Sequence, residues 1–270
     1  MSESFQASEI DFLASIGIVM NQDGTITRDP TRFPCVPATP NITKDIVVNH
    51  SKSTWMRLYV PITALKSKKL PLVVFYHGVG FITNSIDPVD HEFCHLMALK
   101  LNVVVALASY RVAPEFKLPA AYDDGVDAVK WLRNSEDEWI KSYVDLSDVF
   151  LMGKNSGGNV AYNVGIRSNK QDLTPLCIRG LILLDPFFGG QERCESELRH
   201  VNDQVFPAGL GGKVTVTGEG GGAMIDRQRD VANLMKENGV AVIEHFIDGS
   251  DPNKTETMFA SIKSLIYSSR

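Results

Sequence analysis

Short, unbroken apolar runs alternate along the chain with longer segments in which apolar residues recur at helical spacing. Such runs lie near residues 70–76, 103–108, 148–152 and 180–186, and polar residues interrupt two further strand candidates near 213–218 and 240–246. Runs of this kind are typical of strands buried on both faces of a parallel sheet. Helices are predicted between and after them, near residues 90–101, 120–134, 224–238 and 252–267. Repeated β–α units predict the α/β class, with a mostly parallel, doubly wound sheet that carries helices on both faces.

The segment before these units has a different pattern. Residues 43–60 alternate loosely between apolar and polar positions, which predicts an antiparallel pair of strands closed by Pro61. Phe12–Val19 is apolar and helix-like, and residues 21–28 form a turn-rich strand candidate. We therefore expect residues 1–34 to form an N-terminal flap over a single domain that spans residues 1–270.

Composition and charge narrow the function classes. The formal net charge of −5 and the sequence pI near 5.7 leave no basic stripe for a phosphate backbone, so nucleic acid is not an expected partner. No apolar run approaches the roughly 20 residues of a membrane span. The N-terminus lacks the pattern of a signal peptide and the four cysteines show no Cys-x-x-Cys pairing, which predicts a cytoplasmic protein.

The segment with the most chemical information is a strand that breaks into a glycine turn and restarts as a helix. It reads Gly153-Lys154-Asn155-Ser156-Gly157. The pattern Gly-x-Ser-x-Gly at such a turn is the nucleophile elbow of α/β-hydrolases, where glycines let the strand and the helix approach closely. The middle position holds Asn155, whose amide tolerates the strained turn but is not a nucleophile.

Several further motifs carry a family resemblance. They are His77–Phe81, Tyr110–Glu115, Leu118–Asp124, Ser156–Asn159 and Ile225–Gln228. With them the chain resembles the plant carboxylesterases of the hormone-sensitive-lipase branch of the α/β-hydrolases, relatives of the gibberellin receptor. The resemblance implies an α/β-hydrolase fold, and ester cleavage by a serine that a histidine deprotonates and an aspartate orients.

Carried onto this sequence, the resemblance places the catalytic positions on unsuitable residues. The nucleophile position falls on Asn155, while Ser156 falls on the residue that lends its backbone N–H to the oxyanion hole. The aspartate position falls on Gly222. The histidine loop corresponds to residues 248–252, and no histidine follows His245.

Two parts of the pocket also depart from the family pattern. The oxyanion loop His-Gly-Gly-Gly of the family corresponds here to His77-Gly78-Val79-Gly80. Its N–H groups must turn toward the oxyanion, and a β-branched residue such as Val79 is unfavourable there if that backbone needs positive φ. The helical segment that follows the Ser-Glu-Leu-Arg motif in the family is missing here. Residues 187–212 are therefore expected to form a shortened cap and crossover.

Alternative chemistry is conceivable at three places. Ser156 could be a displaced nucleophile, although capping or packing is the simpler role. His245 with Asp226 could rebuild a proton relay, but its alternation pattern makes it a strand residue. His91 and His95 match the His-Glu-x-x-His zinc motif, yet no motif supplies a third ligand, so no metal or cofactor is predicted.

Other polar residues have structural interpretations. We expect His77 to organise its loop, and Asp123 and Asp124 to be helix-terminal charges that complement the helix dipole. Asp185 resembles a residue near the rim of the active site in the family, and a structural role is an equal alternative.

Three functions remain open after the sequence alone. The first is a carboxylesterase by descent in which hydrolysis is weak or missing. The second is a non-catalytic, receptor-like binder that holds a small apolar ester, acid or lactone in the same pocket. The third is a degenerate or splice-truncated product without activity.

Overall fold

The computed structural model describes residues 17–23, 25–29, 35–66, 69–83, 88–189, 213–220 and 224–267, together with residues 14 and 31. The strands of this part of the chain are β1 (Ile18–Met20), β2 (Ile26–Arg28), β3 (Thr43–Asn49), β4 (Thr54–Tyr59), β5 (Leu70–Tyr76), β6 (Val104–Ala108), β7 (Val144–Lys154), β8 (Ile178–Leu184), β9 (Lys213–Gly220) and β10 (Ala241–Asp248). The helices are α1 (Pro88–Leu101), α2 (Ala120–Arg133), α3 (Glu138–Tyr143), α4 (Ser156–Ser168), α5 (Ile225–Glu237) and α6 (Lys254–Tyr267), and a 3₁₀ helix spans Ile62–Lys66.

Eight of the strands form one sheet, in the order β10-β9-β8-β7-β5-β6-β4-β3. The pairs β3–β4 and β4–β6 are antiparallel, and every other pair in this sheet is parallel. The antiparallel start and the mostly parallel remainder confirm the fold class predicted from the apolar runs. Strand β5 lies near the centre, and all of its residues are buried.

Helices cover both faces of the sheet. Leu72 and Val74 of β5 belong to the core beneath α2, α4 and α5. Val73 and Phe75 point to the opposite face, where they share a second core with α1 and α6. Successive side chains of β5 point into the two cores in turn. A strand that is buried on both faces in this way appears in the sequence as an unbroken apolar run. Within the described ranges, no helix combines the length and the apolar character that crossing a membrane requires.

The structure corrects two predicted elements. Ile18 and Val19 lie in strand β1 and not in a helix, whereas Phe12 lies outside the described residues. Helix α3 was not predicted, because its six residues are too few to show a helical period. It begins where the Asp137 carboxylate accepts a hydrogen bond from the Trp139 N–H at 2.9 Å, an N-cap of the kind that starts short helices.

The predicted flap is represented by the two-stranded hairpin of β1 and β2. Arg28 at the end of β2 connects it to the body of the protein. Its guanidinium bonds to both carboxylate oxygens of Glu115, at 3.0 and 2.7 Å, and donates to the carbonyl oxygens of Ile82 and Ala113. Ile82 follows the predicted oxyanion loop, so the hairpin is attached beside the site. Most of the shortened crossover, residues 190–212, lies outside the described residues.

Candidate active site

The turn between β7 and α4 has the backbone of a nucleophile elbow. Asn155 stands alone between the two elements with φ 52° and ψ −121°, a strained conformation for a residue with a side chain. The close approach depends on glycine, because a Cβ at Gly157 would lie 2.0 Å from the carbonyl oxygen of Tyr76. A Cβ at Gly153 would lie 2.0 Å from the carbonyl oxygen of Gly157. The predicted elbow is therefore present, with asparagine at its exposed corner.

Three backbone hydrogen bonds hold this corner in place. The Asn155 N–H donates to the carbonyl oxygen of Leu184 at 2.9 Å. The Asn155 carbonyl accepts from the N–H groups of Gly158 and Phe187, each at 3.0 Å. Because both backbone groups of Asn155 are bonded, the strained φ is fixed by its surroundings.

The predicted oxyanion loop packs directly against the elbow. Val79, Gly80 and Phe81 have φ values of 67°, 67° and 65°. The loop turns so that the Gly80 N–H points to the Asn155 Oδ1, at 3.4 Å. Gly78 lies so close that a Cβ there would be 2.8 Å from the Lys154 carbonyl oxygen. The asparagine amide oxygen thus occupies a position that faces a loop N–H.

Ser156 lies on the inner side of the same contact. It is 0% exposed, and its hydroxyl accepts a hydrogen bond from the Phe81 N–H at 3.2 Å. Burial raises the pKa of the neighbouring Tyr110, and a hydrogen bond with Ser156 acts in the opposite direction. A hydroxyl placed between these two groups ties the loop to the start of α4 and is not presented to solvent.

His77 is also an interior residue. Its ring stacks on that of Tyr110 with centroids 4.2 Å apart, and the Tyr110 hydroxyl donates to the His77 carbonyl at 2.7 Å. The His77 Nδ1 lies 3.3 Å from the carbonyl oxygen of Gly78. These contacts fit the organising role expected for the residue that follows β5.

The structure describes one of the two remaining triad positions. Gly222 lies outside the described residues. The loop at the histidine position runs from Gly249 to Asn253, between β10 and α6, and contains no histidine. His245 lies inside β10, where it pairs with Thr217, and β10 is three strands from β7 in the sheet order. Three strand spacings amount to about 14 Å, which places His245 beyond reach of the elbow.

Three charged residues, of which the sequence singled out only Asp185, lie at the same edge of the sheet as the elbow. Burial raises the pKa of the Asp185 carboxyl, the charge of Glu219 acts in the same direction, and Lys154 and Lys254 oppose them. Lys254 also forms an ion pair with Glu219 at 3.1 Å. Lys154, Asp185 and Glu219 stand at the carboxyl ends of three neighbouring parallel strands, and that shared edge is the signal that could have grouped them.

The zinc-like motif lies elsewhere. His91 and His95 are in α1, and the His91 Nδ1 lies 3.1 Å from the Tyr59 hydroxyl. Burial lowers the pKa of His91. In the part of the chain that the structure describes, no three His, Cys, Asp or Glu side chains group as they would around a metal ion.

Comparison with known proteins adds a family to this geometry. A family model described as alpha/beta hydrolase fold matches residues 73–209. Carboxylesterase 20 of Arabidopsis thaliana is 47% identical, over 96% of this chain and 97% of its own length. The 3-O-acetylpapaveroxine carboxylesterase CXE2 of Papaver somniferum is 36% identical, over 91% of this chain and 96% of its own. An esterase structure from Pyrobaculum calidifontis has a TM-score of 0.71 at 22% identity, covering 88% and 87% of the two chains, which indicates a shared fold.

The same comparison reveals a difference in length. The alignment with the Arabidopsis relative has 317 positions, 47 more than the 270 residues of this chain. At 47 positions or more the relative therefore has a residue where this chain has a gap. Both chains are covered almost completely, so these gaps are internal.

Proposed function

Because this chain belongs to the plant carboxylesterase family of α/β-hydrolases, we propose that it keeps the family's site but does not cleave esters by a serine mechanism. The observation that carries the proposal is Asn155 at the corner of the elbow, with its amide oxygen toward the Gly80 N–H. The fold would then serve as a frame for binding.

The chemistry of the side chains supports the loss of hydrolysis. A carboxamide nitrogen has its lone pair delocalised and cannot attack an ester as an activated hydroxyl does. A serine elbow also needs a base within hydrogen-bond reach, and the loop from Gly249 to Asn253 offers no imidazole. The Asn155 Oδ1 further competes with a substrate oxyanion for the Gly80 N–H. Each of the three features alone would impair turnover, although their effects are not additive.

A binding function for the same crevice is supported by what the site retains. The elbow, the oxyanion loop and the adjoining hairpin meet at the carboxyl ends of the parallel strands, where α/β proteins bind ligands. The Asn155 amide can donate and accept hydrogen bonds there, and the exposed Lys154 adds a cation next to it. The expected ligand is a small apolar acid, ester or lactone, with the acid favoured by Lys154.

A degenerate product without activity is the third candidate. The 47 or more positions that this chain lacks relative to the Arabidopsis carboxylesterase are the observation in its favour. It differs from the binder in one measurable respect, since it predicts that no ligand stabilises the folded chain.

The hydrolysis proposal is tested with a fluorophosphonate probe and intact-mass detection. We expect no adduct on the wild type or on Asn155→Ser under conditions that fully label the Arabidopsis relative. The variant restores the hydroxyl but not the base. Labelling of the wild type at Ser156 would overturn the proposal. Ester turnover by Asn155→Ser near the typical enzyme value of about 10 s⁻¹ would show that a base reaches the elbow.

The binding proposal is tested by thermal shift with small apolar acids, esters and lactones. A ligand at a hundred times its Kd stabilises the folded state by ~2.7 kcal/mol, a readily measured shift. Lys154→Gln should reduce the shift given by acids, whereas Lys170→Gln, which changes an exposed lysine just beyond α4, should not. A screen without any shift would favour the degenerate product.

A further inference from the structure

The backbone at the elbow has a second chemical consequence for Asn155. Around the Cα–C bond of an L residue, Cβ lies about 120° from the backbone nitrogen. With ψ at −121°, the amide nitrogen of Ser156 therefore eclipses the Asn155 Cβ. Ser156 N and the Asn155 atoms C, Cα and Cβ then lie nearly in one plane, which is the arrangement of a five-membered ring closed at Cγ.

The Ser156 nitrogen and the Asn155 side-chain amide also have hydrogen-bonding environments that favour the reaction. The Ser156 N–H is in the first turn of α4, where N–H groups lack partners within the helix, and no described residue accepts a hydrogen bond from it. The Asn155 Oδ1 receives the Gly80 N–H at 3.4 Å, which polarises the amide carbonyl. The same N–H is placed to stabilise negative charge on that oxygen as a tetrahedral intermediate forms.

From this geometry we propose that Asn155 is a self-modifying residue that deamidates through a succinimide. The Ser156 nitrogen attacks the Asn155 Cγ and forms the new N–C bond, while the Cγ–Nδ2 bond breaks. Ammonia leaves with the proton of the peptide nitrogen. Water then opens the ring at either carbonyl and yields aspartate or isoaspartate, so the net change is asparagine plus water to a carboxylic acid plus ammonia.

The fold holds the backbone conformation that favours ring closure, which an unfolded chain adopts only transiently. A flexible Asn-Ser sequence visits the eclipsed backbone rarely, because a ψ near −120° lies outside the main allowed regions of the backbone. Here the backbone bonds of Asn155 to Leu184, Gly158 and Phe187 hold it there. Asn155 is also only half-buried, so water can reach the ring. The elbow thus orients an internal nucleophile, as enzymes orient reactants to lower a barrier.

The chain contains two matched controls. Asn134 precedes Ser135, so its sequence neighbour is the same, but its ψ is 8°. Asn238 precedes Gly239, the least hindered neighbour that an asparagine can have, and its ψ is 17°. At both controls the next nitrogen is rotated far from Cβ, and ring closure requires the backbone to move.

The test is an incubation of the purified full chain in mildly alkaline buffer, in the folded state and in urea. Peptide mapping by mass spectrometry follows the conversion of amide to acid at each asparagine, and an isoaspartyl methyltransferase assay detects the second product. In the folded protein we expect Asn155 to convert at least about tenfold faster than Asn134, equivalent to about 1.4 kcal/mol in activation free energy. In urea the two Asn-Ser sites should react at similar rates, with Asn238 fastest.

Asn155→Gln provides the matched variant, because its longer side chain can close only a six-membered ring. It should show no conversion at this position, with an unchanged circular dichroism spectrum. Equal rates at Asn155 and Asn134 in the folded protein would overturn the proposal, and so would slower conversion of Asn155 in the folded state than in urea. These outcomes do not depend on whether the crevice binds a ligand.

Discussion

Replacing Val79 by glycine and, separately, by alanine tests the strain in the oxyanion loop. Val79 has φ 67°, in the left-handed region. An L side chain there costs roughly 1–2 kcal/mol, because Cβ crowds the following carbonyl oxygen. Glycine has no Cβ and avoids this cost. The loop is therefore strained at a position that is glycine in the family pattern it resembles.

The magnitude follows from comparing the two variants with each other. Both lose the valine side chain, which is 39% exposed, so their difference isolates the backbone. At an ordinary position glycine is less stable than alanine by roughly 0.5–1 kcal/mol, because glycine is freer in the unfolded chain. At φ 67° the released strain exceeds that loss, and Val79→Gly should be more stable than Val79→Ala by roughly 0.5–1 kcal/mol. The expected difference in Tm is about 2 °C.

The assay is urea unfolding followed by circular dichroism, with Val47 as the control site. Val47 lies in strand β3 and is 48% exposed, so its environment is similar except for its extended backbone. There glycine should be the less stable variant by roughly 0.5–1 kcal/mol. If glycine is also the less stable variant at position 79, by the same margin as at Val47, then the left-handed backbone of Val79 is not strained and the reasoning is wrong.

Three further predictions concern charged and ionisable groups. Asp124 is 0% exposed and accepts two hydrogen bonds from the Arg111 guanidinium, of 2.8 and 2.9 Å, and one from the Arg111 backbone N–H, of 3.0 Å. Asp124→Asn should therefore lower the free energy of unfolding by about 3 kcal/mol in urea titrations. Asp123→Asn, which breaks an exposed pair, should lower it by less than about 1 kcal/mol, and equal losses would contradict the distinction. Burial raises the pKa of Asp185 above its ordinary 3.8, so its stabilising contribution is present at low pH and is lost as the pH rises through the folded-state pKa. Asp185→Asn should therefore become more stable relative to the wild type as the pH rises above 3.8, whereas a difference that does not change with pH would argue against it. Chelators should leave the Tm unchanged, and one equivalent of zinc that survives dialysis and is lost in His95→Ala would contradict this.

The frame of the protein is predictable because its signals are local and strong. Strand β5 is an unbroken apolar run because both of its faces are buried in the sheet. The elbow can also be predicted from the sequence, since only glycine fits at Gly153 and Gly157. The contact between His77–Gly80 and Asn155 follows from topology, because β5 and β7 are neighbours whose carboxyl ends share one edge.

What the sequence cannot supply is the direction of individual side chains. Asp123 and Asp124 look alike in sequence, and both were predicted to be helix-terminal charges. Consecutive helical residues point about 100° apart, so one reaches solvent and Arg167 while the other is buried against Arg111. That buried position corrects the prediction for Asp124. The bond from the Gly80 N–H to the Asn155 amide is hidden for the same reason, since it depends on a rotamer.

The attachment of the hairpin through Arg28 has a dynamic consequence. Its hydrogen bonds to Glu115, Ile82 and Ala113 all originate in one guanidinium, so they break together when that side chain turns away. Contacts made by one side chain are lost together when it moves, so this attachment opens in one step. The amides of β1 and β2 should then exchange with solvent as one unit, at a lower free energy than the amides of the central sheet.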